Sequence, residues 1–400
     1  MRLSTLAATL VATASLGAYG QEINATYIGA VIEALNAANL TSLAGAAQSV
    51  ANTTNGAAFL ASLPGSNKTL FAPINDAFAG VPEEVSSNAT LLADILSYHV
   101  LNASVMPSQI ARAPAHSVVR SLYNNGMLPG NRSQPVVFSL TNGTDGGNQT
   151  AFPYQNNETV YGAGQPVSAA NFMIYPIYSV LSLPQTLSEV ATAQLPSLAG
   201  VISQAGLLEP LEMARGITVF APNDAALSAA GELLGTLNTT QIQSVLANHV
   251  INGTVVYSTL LTASNYTSAG GEAFTFMSNS SGAYVMSGNT TAMIVAADIP
   301  IANGVVHVID RVLANPASNT QAAESAASSY AAEATQTSSA AGNGGGVVGP
   351  TSTMGSATGA ASGATSAPAS GAMSSVPLSF GTIGSAVAIF AGIFAGATLV

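Results

Sequence analysis

The feature that most constrains the fold of this 400-residue chain is an internal repeat. Three short blocks of sequence occur twice, in the same order and at nearly the same spacing. The paired blocks are 69–78 with 218–227, 96–102 with 246–252, and 171–181 with 303–313. Self-similarity of this kind indicates that one structural unit is used twice. The sequence therefore predicts two tandem domains of about 130 to 165 residues each.

The first block is typical of a strand that ends in a turn and the start of a helix. Its TLFAP and TVFAP segments are rich in β-branched and aromatic residues, and they end at Pro73 and Pro222. Proline cannot continue a ladder of backbone hydrogen bonds, so the strand is expected to stop there. Asn75 and Asp224 follow at the positions where they are expected to cap the helix.

Apolar spacing predicts further elements in both copies. Helical spacing is shown by Ile28, Val31, Ile32 and Leu35 in the first copy and by Val201, Ile202, Ala205 and Leu208 in the second. The segment 304–309 is apolar on both faces, which favours a strand inside a sheet. The first copy is longer than the second, and the polar run 141–165 is interpreted as the extra, glycosylated surface loop.

These blocks resemble the fasciclin domain family over about residues 22–316. The resemblance implies an α+β fold with two fasciclin-like domains, at 22–184 and 185–316. Each domain is expected to be a wedge-shaped β-sandwich with several helices. The family is used in extracellular adhesion and matrix proteins, often in tandem and often on a glycosylphosphatidylinositol (GPI) anchor.

The resemblance also supplies candidate partner-binding residues. They are Tyr98, His99, His249, Asp298 and Ile299. In animal members a Tyr-His pair and an Asp-Ile pair are associated with integrin binding. The first copy has Pro166-Val167 where Asp-Ile is expected, and the second has Asn248 in place of the tyrosine. Neither copy carries the complete set, which weakens a receptor assignment.

His99 and His249 recur at one position and allow two interpretations. They could take part in catalysis or metal binding, or each could make a fixed structural hydrogen bond inside its domain. Their apolar sequence context favours the structural role. Cysteine is absent, and zinc-type spacing and the common hydrolase and nucleotide-binding motifs are missing, so no enzyme activity, cofactor or metal is expected. A hydrolase with a dispersed Ser-His-Asp site remains an alternative.

Charge is scarce, since only 6% of residues are charged and the net charge is -11. Phosphate binding needs clustered Lys and Arg, so a nucleic-acid partner is excluded. Glycans are expected to supply the missing surface hydration. The fifteen N-glycosylation sequons begin at Asn24, Asn39, Asn52, Asn67, Asn88, Asn102, Asn131, Asn142, Asn148, Asn157, Asn238, Asn252, Asn265, Asn279 and Asn289.

The two ends of the chain have the pattern of an exported, lipid-anchored protein. Residues 1–20 are typical of a secretory signal peptide. Residues 317–375 are rich in Ala, Ser, Thr and Gly and are predicted to form a disordered, O-glycosylated stalk. Segment 376–400 resembles a GPI signal that is removed, with the lipid on Ser370, or on Gly371 or Ser374. A retained C-terminal helix is the alternative.

The predicted function is therefore non-enzymatic. The protein is expected on the outer face of the cell membrane, held by GPI lipid and able to pass into the wall. Its partner would be a cell-surface, wall or matrix protein or a polysaccharide. The alternative is a structural wall glycoprotein without a specific partner. The combination of features is typical of a fungal wall protein.

Overall fold

The computed structural model describes residues 25–143, 147–155, 158–262, 265–279 and 281–340. The predicted signal peptide, the stalk beyond 340, the GPI segment with Ser370, Gly371 and Ser374, and the sequons at Asn24 and Asn157 lie outside the described residues. Within the described ranges, no helix combines the length and apolarity needed to cross a bilayer.

The first copy mixes five helices with eight strands among its described residues. The helices are α1 (Ala25–Ala37), α2 (Thr41–Val50), α3 (Thr54–Ser62), α4 (Glu83–Ser87) and α5 (Ala89–Tyr98). The strands are β1 (Lys68–Pro73), β2 (Val100–Leu101), β3 (Ser117–Arg120), β4 (Pro135–Asn142), β5 (Asn148–Gln155), β6 (Glu158–Tyr161), β7 (Val167–Ala169) and β8 (Phe172–Ile177).

The second copy repeats this order of elements. Its helices are α6 (Leu187–Gln194), α7 (Pro196–Gln204), α8 (Leu208–Met213), α9 (Asp224–Ala229), α10 (Gly231–Thr236) and α11 (Thr239–Ala247). Its strands are β9 (Ile217–Pro222), β10 (Val250–Asn252), β11 (Tyr266–Thr267), β12 (Ala273–Asn279), β13 (Gly282–Ser287), β14 (Thr290–Ile301) and β15 (Gly304–Ile309). A further helix, α12 (Thr320–Ala340), follows.

Two four-stranded sheets form the first domain, in the orders β2-β1-β8-β7 and β3-β4-β5-β6. Isolated bridges join them at both sides, between Leu101 and Ser121 and between Gly162 and Ile177. The sheets enclose an aromatic core in which the Phe71 ring meets Phe138 and Phe152 edge-on. The helices α1, α2, α3 and α5 cover the other side of β1, where a second apolar core lies.

A single seven-stranded sheet forms the second domain, in the order β10-β9-β15-β14-β13-β12-β11. Register shifts within β14 let its first half pair with β13 and its second half with β15. All six residues of β15 are buried, because this strand lies between β14 and β9. The prediction of an internal strand at 304–309 is confirmed.

Phe71 and Phe220 occupy the same place in the two domains. Both rings are fully buried, and both backbone amides donate to a histidine carbonyl, to His99 at 2.9 Å and to His249 at 2.8 Å. Each residue lies on a strand that pairs in parallel with the final strand of its copy. The duplication and the α+β fold predicted from the sequence are confirmed.

Four local predictions were wrong. Residues 320–340, expected to be extended, form α12, whose buried Ala327 and Ala334 pack against the folded part. The run 141–165, interpreted as a loop, contains β5 and β6, because inward-facing Phe152 and Val160 join the core. The helix α9 is capped by Asn223, whose side chain accepts from the Ala226 amide, while Asp224 is its first residue.

Asn75 also has a different role from the predicted cap. Its side chain accepts a hydrogen bond from the Ser42 amide at 2.9 Å and donates to the Asn39 carbonyl at 2.9 Å. It therefore ties the turn after β1 to the start of α2 instead of closing its own helical turn, Asn75–Gly80.

Candidate functional site

His99 and His249 follow the last helical turn before a short strand in each domain. The His99 imidazole lies 2.7 Å from the Ile95 carbonyl through Nδ1, and its Nε2 accepts from the Leu181 amide at 2.9 Å. His249 makes the same two bonds, through Nδ1 to the Val245 carbonyl and from the Leu313 amide to Nε2. Since Nε2 accepts, Nδ1 carries the proton and donates to the carbonyl.

Burial lowers the pKa of His99 and of His249 to about 4. Both imidazoles are therefore neutral near pH 7, in the tautomer that satisfies a helix carbonyl and a loop amide together. Each joins the end of its helix to the segment that follows the final strand of its domain. Both ring nitrogens are occupied within the domain, and neither side chain reaches solvent.

Tyr98 and Asn248, the residues before the two histidines, have different partners. Tyr98 is fully buried and donates its hydroxyl to the Pro135 carbonyl at 3.1 Å. Asn248 donates to the carbonyls of Asn315 and Ala317 at 2.8 and 2.7 Å. Tyr98 thus joins the end of α5 to β4, while Asn248 holds the chain segment that leads into α12.

Ile299 belongs to the apolar core of the second domain, and Asp298 lies beside it, fully buried. The Asp298 carboxylate accepts from the Ser258 amide at 2.6 Å and from the Ser258 hydroxyl. Its Oδ2 lies 3.1 Å from Nδ1 of His116, a residue of the first domain. Asp298 has a φ of 65°, a conformation that aspartate adopts more readily than most residues.

The electrostatics of this carboxylate favour the ionised form. Burial by itself opposes ionisation, but hydrogen bonds from His116 and Ser258 and the field of His307 keep the pKa of Asp298 below its ordinary value. The His307 ring, also buried, points Nε2 at the Val256 carbonyl at 2.9 Å. All five candidate residues are thus internal, and Asp298 is the one at the domain boundary.

The domain boundary also has an apolar centre. Val118 and Val137, on the outer faces of β3 and β4, pack against Tyr257 and Val305 of the second domain. All four side chains are at least 94% buried. Tyr154, in β5, has a φ of 66° and reaches the core of the second domain.

Polar contacts surround this centre. Asn125 and Gln134 of the first domain both donate to the Ala302 carbonyl at 2.7 Å. Gly216 of the second domain lies so close to Pro129 that an added Cβ would fall 2.1 Å from the proline Cγ. The helix α12 contacts the turn that contains Pro129 and also contacts β11, so it touches both domains. The two domains therefore form an extensive, mixed interface.

The arrangement offers little to chemistry. The Ser258 hydroxyl donates to the buried Asp298 carboxylate, and no hydrogen bond in the described residues joins it to an imidazole, so the serine–imidazole pair of a hydrolase triad is not formed here. Within the described ranges, no three His, Asp or Glu side chains are grouped in a way that could hold a metal ion. Two apolar cavities, of about 20 and 40 Å³, lie between helices and sheet, and each has room for only a few water molecules.

Sequon asparagines, in contrast, lie at the surface. Thirteen of the fifteen fall in the described residues, since Asn24 and Asn157 do not. Eleven of these thirteen are exposed, and Asn102 and Asn252 are half-buried. No described sequon is thus closed to glycosylation by burial of its asparagine.

Sequence reasoning missed the contacts that join the domains. No sequence pattern marks His116, Asn125, Gln134 or Tyr257 as a contact residue. An isolated Val118-Val119 pair predicts a buried strand but cannot reveal that its outer residue meets a second domain. The Pro129-Gly130 turn and Gly216 were available signals for a close approach, but neither specifies the partner.

Comparison with known proteins agrees with this architecture. A family model of the fasciclin domain matches residues 34–184 and 193–315. A "fasciclin-like arabinogalactan protein" of Arthroderma benhamiae is 27% identical over 262 residues, 64% of this chain and 60% of that protein. One from Phaeosphaeria nodorum is 28% identical over 145 residues, 35% of this chain and 44% of that protein. In both cases this chain spans less than two thirds of the relative's length.

A solved structure is also similar. It is a FAS1 domain pair from the insect cell adhesion molecule fasciclin I, with a TM-score of 0.34 and 16% identity. The similarity covers 67% of this chain and 95% of that one.

Proposed function

This chain belongs to the fasciclin domain family, and on that premise we propose that it is a non-enzymatic, extracellular adhesion or matrix-interaction glycoprotein. Two fasciclin domains form its folded part, and their outer surface meets a protein or polysaccharide of a neighbouring cell, wall or matrix. The names of its fungal relatives, fasciclin-like arabinogalactan proteins, support a role in a glycan-rich extracellular setting.

The observation that carries this proposal is the surface position of the sequons. Eleven described sequon asparagines are exposed on a chain in which only 6% of residues are charged. A surface so poor in charge needs another source of hydration, and N-glycans at these positions supply it. Glycosylation of this density requires passage through the secretory pathway, which agrees with the signal peptide proposed for 1–20.

The five residues derived from the family resemblance contribute to this function through the fold. Tyr98, His99, His249, Asp298 and Ile299 are all buried, so a partner meets other side chains in this conformation. Their role in the proposal is to fix the two domains and their junction. The contact face for the partner is therefore sought on the exposed parts of the two domains.

Lipid anchoring forms the second part of the proposal. A GPI lipid on Ser370, or on Gly371 or Ser374, would hold many copies on the outer membrane face, and many weak contacts then add to firm attachment. Mass spectrometry of the C-terminal peptide after phospholipase release identifies the modified residue. Recovery of unmodified 376–400 in the mature protein would contradict the anchor.

The proposal is tested by comparing cells that display the full chain with cells that display only the signal peptide, stalk and anchor. Attachment to other cells and to wall polysaccharide is expected to fall to background when 25–316 is removed. A matched control keeps the domains but replaces exposed Asn36 with alanine, which should leave attachment unchanged.

A structural wall glycoprotein without a specific partner is the competing function. The high density of exposed sequons also favours it, since the glycans alone could serve the wall. Unchanged attachment after removal of both domains, with altered wall resistance to detergent or enzyme, would support this second function and contradict specific adhesion.

A further inference from the structure

We propose that N-glycans on Asn67 and Asn265 cap the two ends of the domain pair and prevent a second copy of this chain from docking head to tail. Each of these asparagines lies on an outer face of the pair. Each is equivalent, in the repeated fold, to a residue of the other domain that makes close contact at the interface between the domains. The inference requires N-glycosylation, as the proposed function does, but it does not require adhesion.

The contact between the domains joins two different surfaces. The first domain contributes the outer face of β3 and β4, with Val118 and Val137, and the second contributes Tyr257 and Val305. Because the two domains share one fold, each carries the strands of both surfaces, but the second domain has only residues 269–271 where the first has 122–133, and α12 contacts its β11. A contact of this kind leaves one unused surface at each end and can in principle continue from molecule to molecule.

Hydrogen bonds establish which residue takes the place of Gly216 in the first domain. The Lys68 amide donates to the Asn171 carbonyl at 2.9 Å, and the Ile217 amide donates to the Asn303 carbonyl at 3.0 Å. Lys68 and Ile217 are therefore equivalent, and the preceding residues are Asn67 and Gly216. Gly216 touches Pro129 across the interface, whereas Asn67 is exposed and begins a sequon.

Equivalent backbone hydrogen bonds also identify the counterpart of Val118 in the second domain. The amides of Leu122 and Ala269 donate to the equivalent carbonyls of Val100 and Val250, at 2.8 and 2.7 Å. Four residues earlier in each chain segment lie Val118 and Asn265. In both domains this strand pairs antiparallel with the strand that follows it, β3 with β4 and β11 with β12.

Val118 and Asn265 differ in the same sense as Gly216 and Asn67. Val118 is buried in the apolar centre of the interface, whereas Asn265 is exposed and begins a sequon. Both contact positions inside the pair thus lack an asparagine, and both equivalent positions outside it have one. A branched sugar at either position would occupy the space that a docking domain needs.

Without the glycans, both unused surfaces have apolar side chains to offer. Met106 is equivalent to Tyr257, because Val105 and Val256 each donate their amides to the same threonine of the first strand, Thr69 or Thr218. Met106 is 47% exposed, and Tyr257 is 5% exposed. On the other surface Met277 is also 47% exposed. A second copy of the chain is the partner that presents both surfaces.

The test compares the secreted, glycosylated full chain with its N67Q/N265Q variant by light scattering across a concentration series. The parent is expected to remain a monomer. The variant is expected to show a mass that at least doubles as concentration rises. The matched control N52Q/N142Q also loses two exposed sequons, but neither is equivalent to an interface position, and it should stay monomeric.

A further substitution locates the contact. Adding Met277→Lys to N67Q/N265Q places a charge on the exposed apolar surface without touching the core, and the mass should return to that of a monomer. Enzymatic removal of glycans from the folded parent is the second route, used where the variant folds poorly. A deglycosylated protein that stays monomeric, oligomers that persist with lysine at 277, or peptides showing unmodified Asn67 and Asn265 in the parent would each overturn the proposal.

The capping role of the two glycans and the adhesive function can each be disproved without the other. A glycosylated monomer that does not mediate attachment contradicts adhesion alone. An adhesive protein whose N67Q/N265Q variant remains monomeric contradicts the capping role alone.

Discussion

His116 of the first domain and Asp298 of the second form a hydrogen-bonded pair across the domain boundary, with Nδ1 3.1 Å from Oδ2. The carboxylate is fully buried and also accepts two hydrogen bonds from Ser258. A buried carboxylate is costly unless its partners satisfy it. The pair therefore requires that the two domains keep their relative orientation for the Asp298 carboxylate to be fully hydrogen-bonded.

Asp298→Asn is predicted to lower the free energy of unfolding by about 3 kcal/mol. The substitution removes the negative charge that accepts hydrogen bonds from His116 and Ser258. Asparagine tolerates the positive φ at this position, so the effect isolates the charge. Urea unfolding followed by far-ultraviolet circular dichroism measures the loss. Asp76→Ala, at an exposed carboxylate, is the matched control and should change stability little.

The lowered pKa of Asp298 gives this contribution a definite pH dependence. A carboxyl group whose pKa is lower in the folded state stabilises the fold above its unfolded pKa of about 3.9, and the contribution is lost as pH falls through the folded value. The stability difference between the parent and Asp298→Asn should therefore shrink below about pH 4. A difference that grows in acid would contradict the assignment.

His99 and His249 are predicted to make the protein less stable as the pH falls from about 6.5 to about 4. The folded state holds both imidazoles neutral, so only the unfolded chain takes up protons in that window, and protonation favours unfolding. Each histidine should contribute about 3 kcal/mol to the loss. Unfolding curves at pH 7.5 and 4.5 measure it.

The double variant His99→Gln/His249→Gln tests whether these two histidines cause the loss of stability in acid. It should be less stable than the parent at neutral pH, since two buried hydrogen bonds are lost at each site, and its stability should depend less on pH in this window. A variant with the parent's full pH dependence would show that other groups are responsible.

The Asn303 side chain is predicted to contribute strongly to the stability of the second domain. Its side chain is buried and donates to the carbonyls of Leu211 and Ala214 at 2.7 and 2.8 Å. Asn303→Ala leaves these carbonyls unsatisfied and should cost about 2 kcal/mol of unfolding free energy. Asn36→Ala, on the exposed face of α1, serves as the control, and equal stability of the two variants would disprove the role.

The helix α12 is predicted to belong to the folded unit. The Tyr330 hydroxyl accepts from the Thr267 amide at 2.9 Å, and α12 contacts both domains. A chain that ends at 319 should therefore melt several degrees lower than a chain that ends at 340, because about 2 kcal/mol of packing is lost. Differential scanning calorimetry compares the two, and identical melting temperatures would show that α12 adds nothing to the fold.

Much of the fold could be predicted because the repeat was visible in short, ordered blocks. The block containing Phe71 and its counterpart containing Phe220 specify a buried strand, and segment 304–309 specifies an internal one. These patterns depend on near neighbours in sequence and on strands that are buried on both faces. These strands could therefore be predicted from residue type and spacing alone.

The errors arose where distant parts of the chain decide the outcome. The composition of 317–375 predicts disorder, yet Tyr330 and two small buried alanines find a surface that the two domains create together. The candidate site failed for a similar reason, since Tyr98 and His99 have side chains suited to binding but are satisfied internally. The His116–Asp298 contact joins residues 182 positions apart, and nothing local to either one signals the other.

The most direct test of anchored adhesion treats intact cells that display the protein with phosphatidylinositol-specific phospholipase and measures attachment and released protein in the same sample. The account predicts that the two domains appear in the medium and that attachment falls in proportion to the protein released. Attachment that persists after the protein has left the cell surface would contradict it, as would protein that stays on the cells.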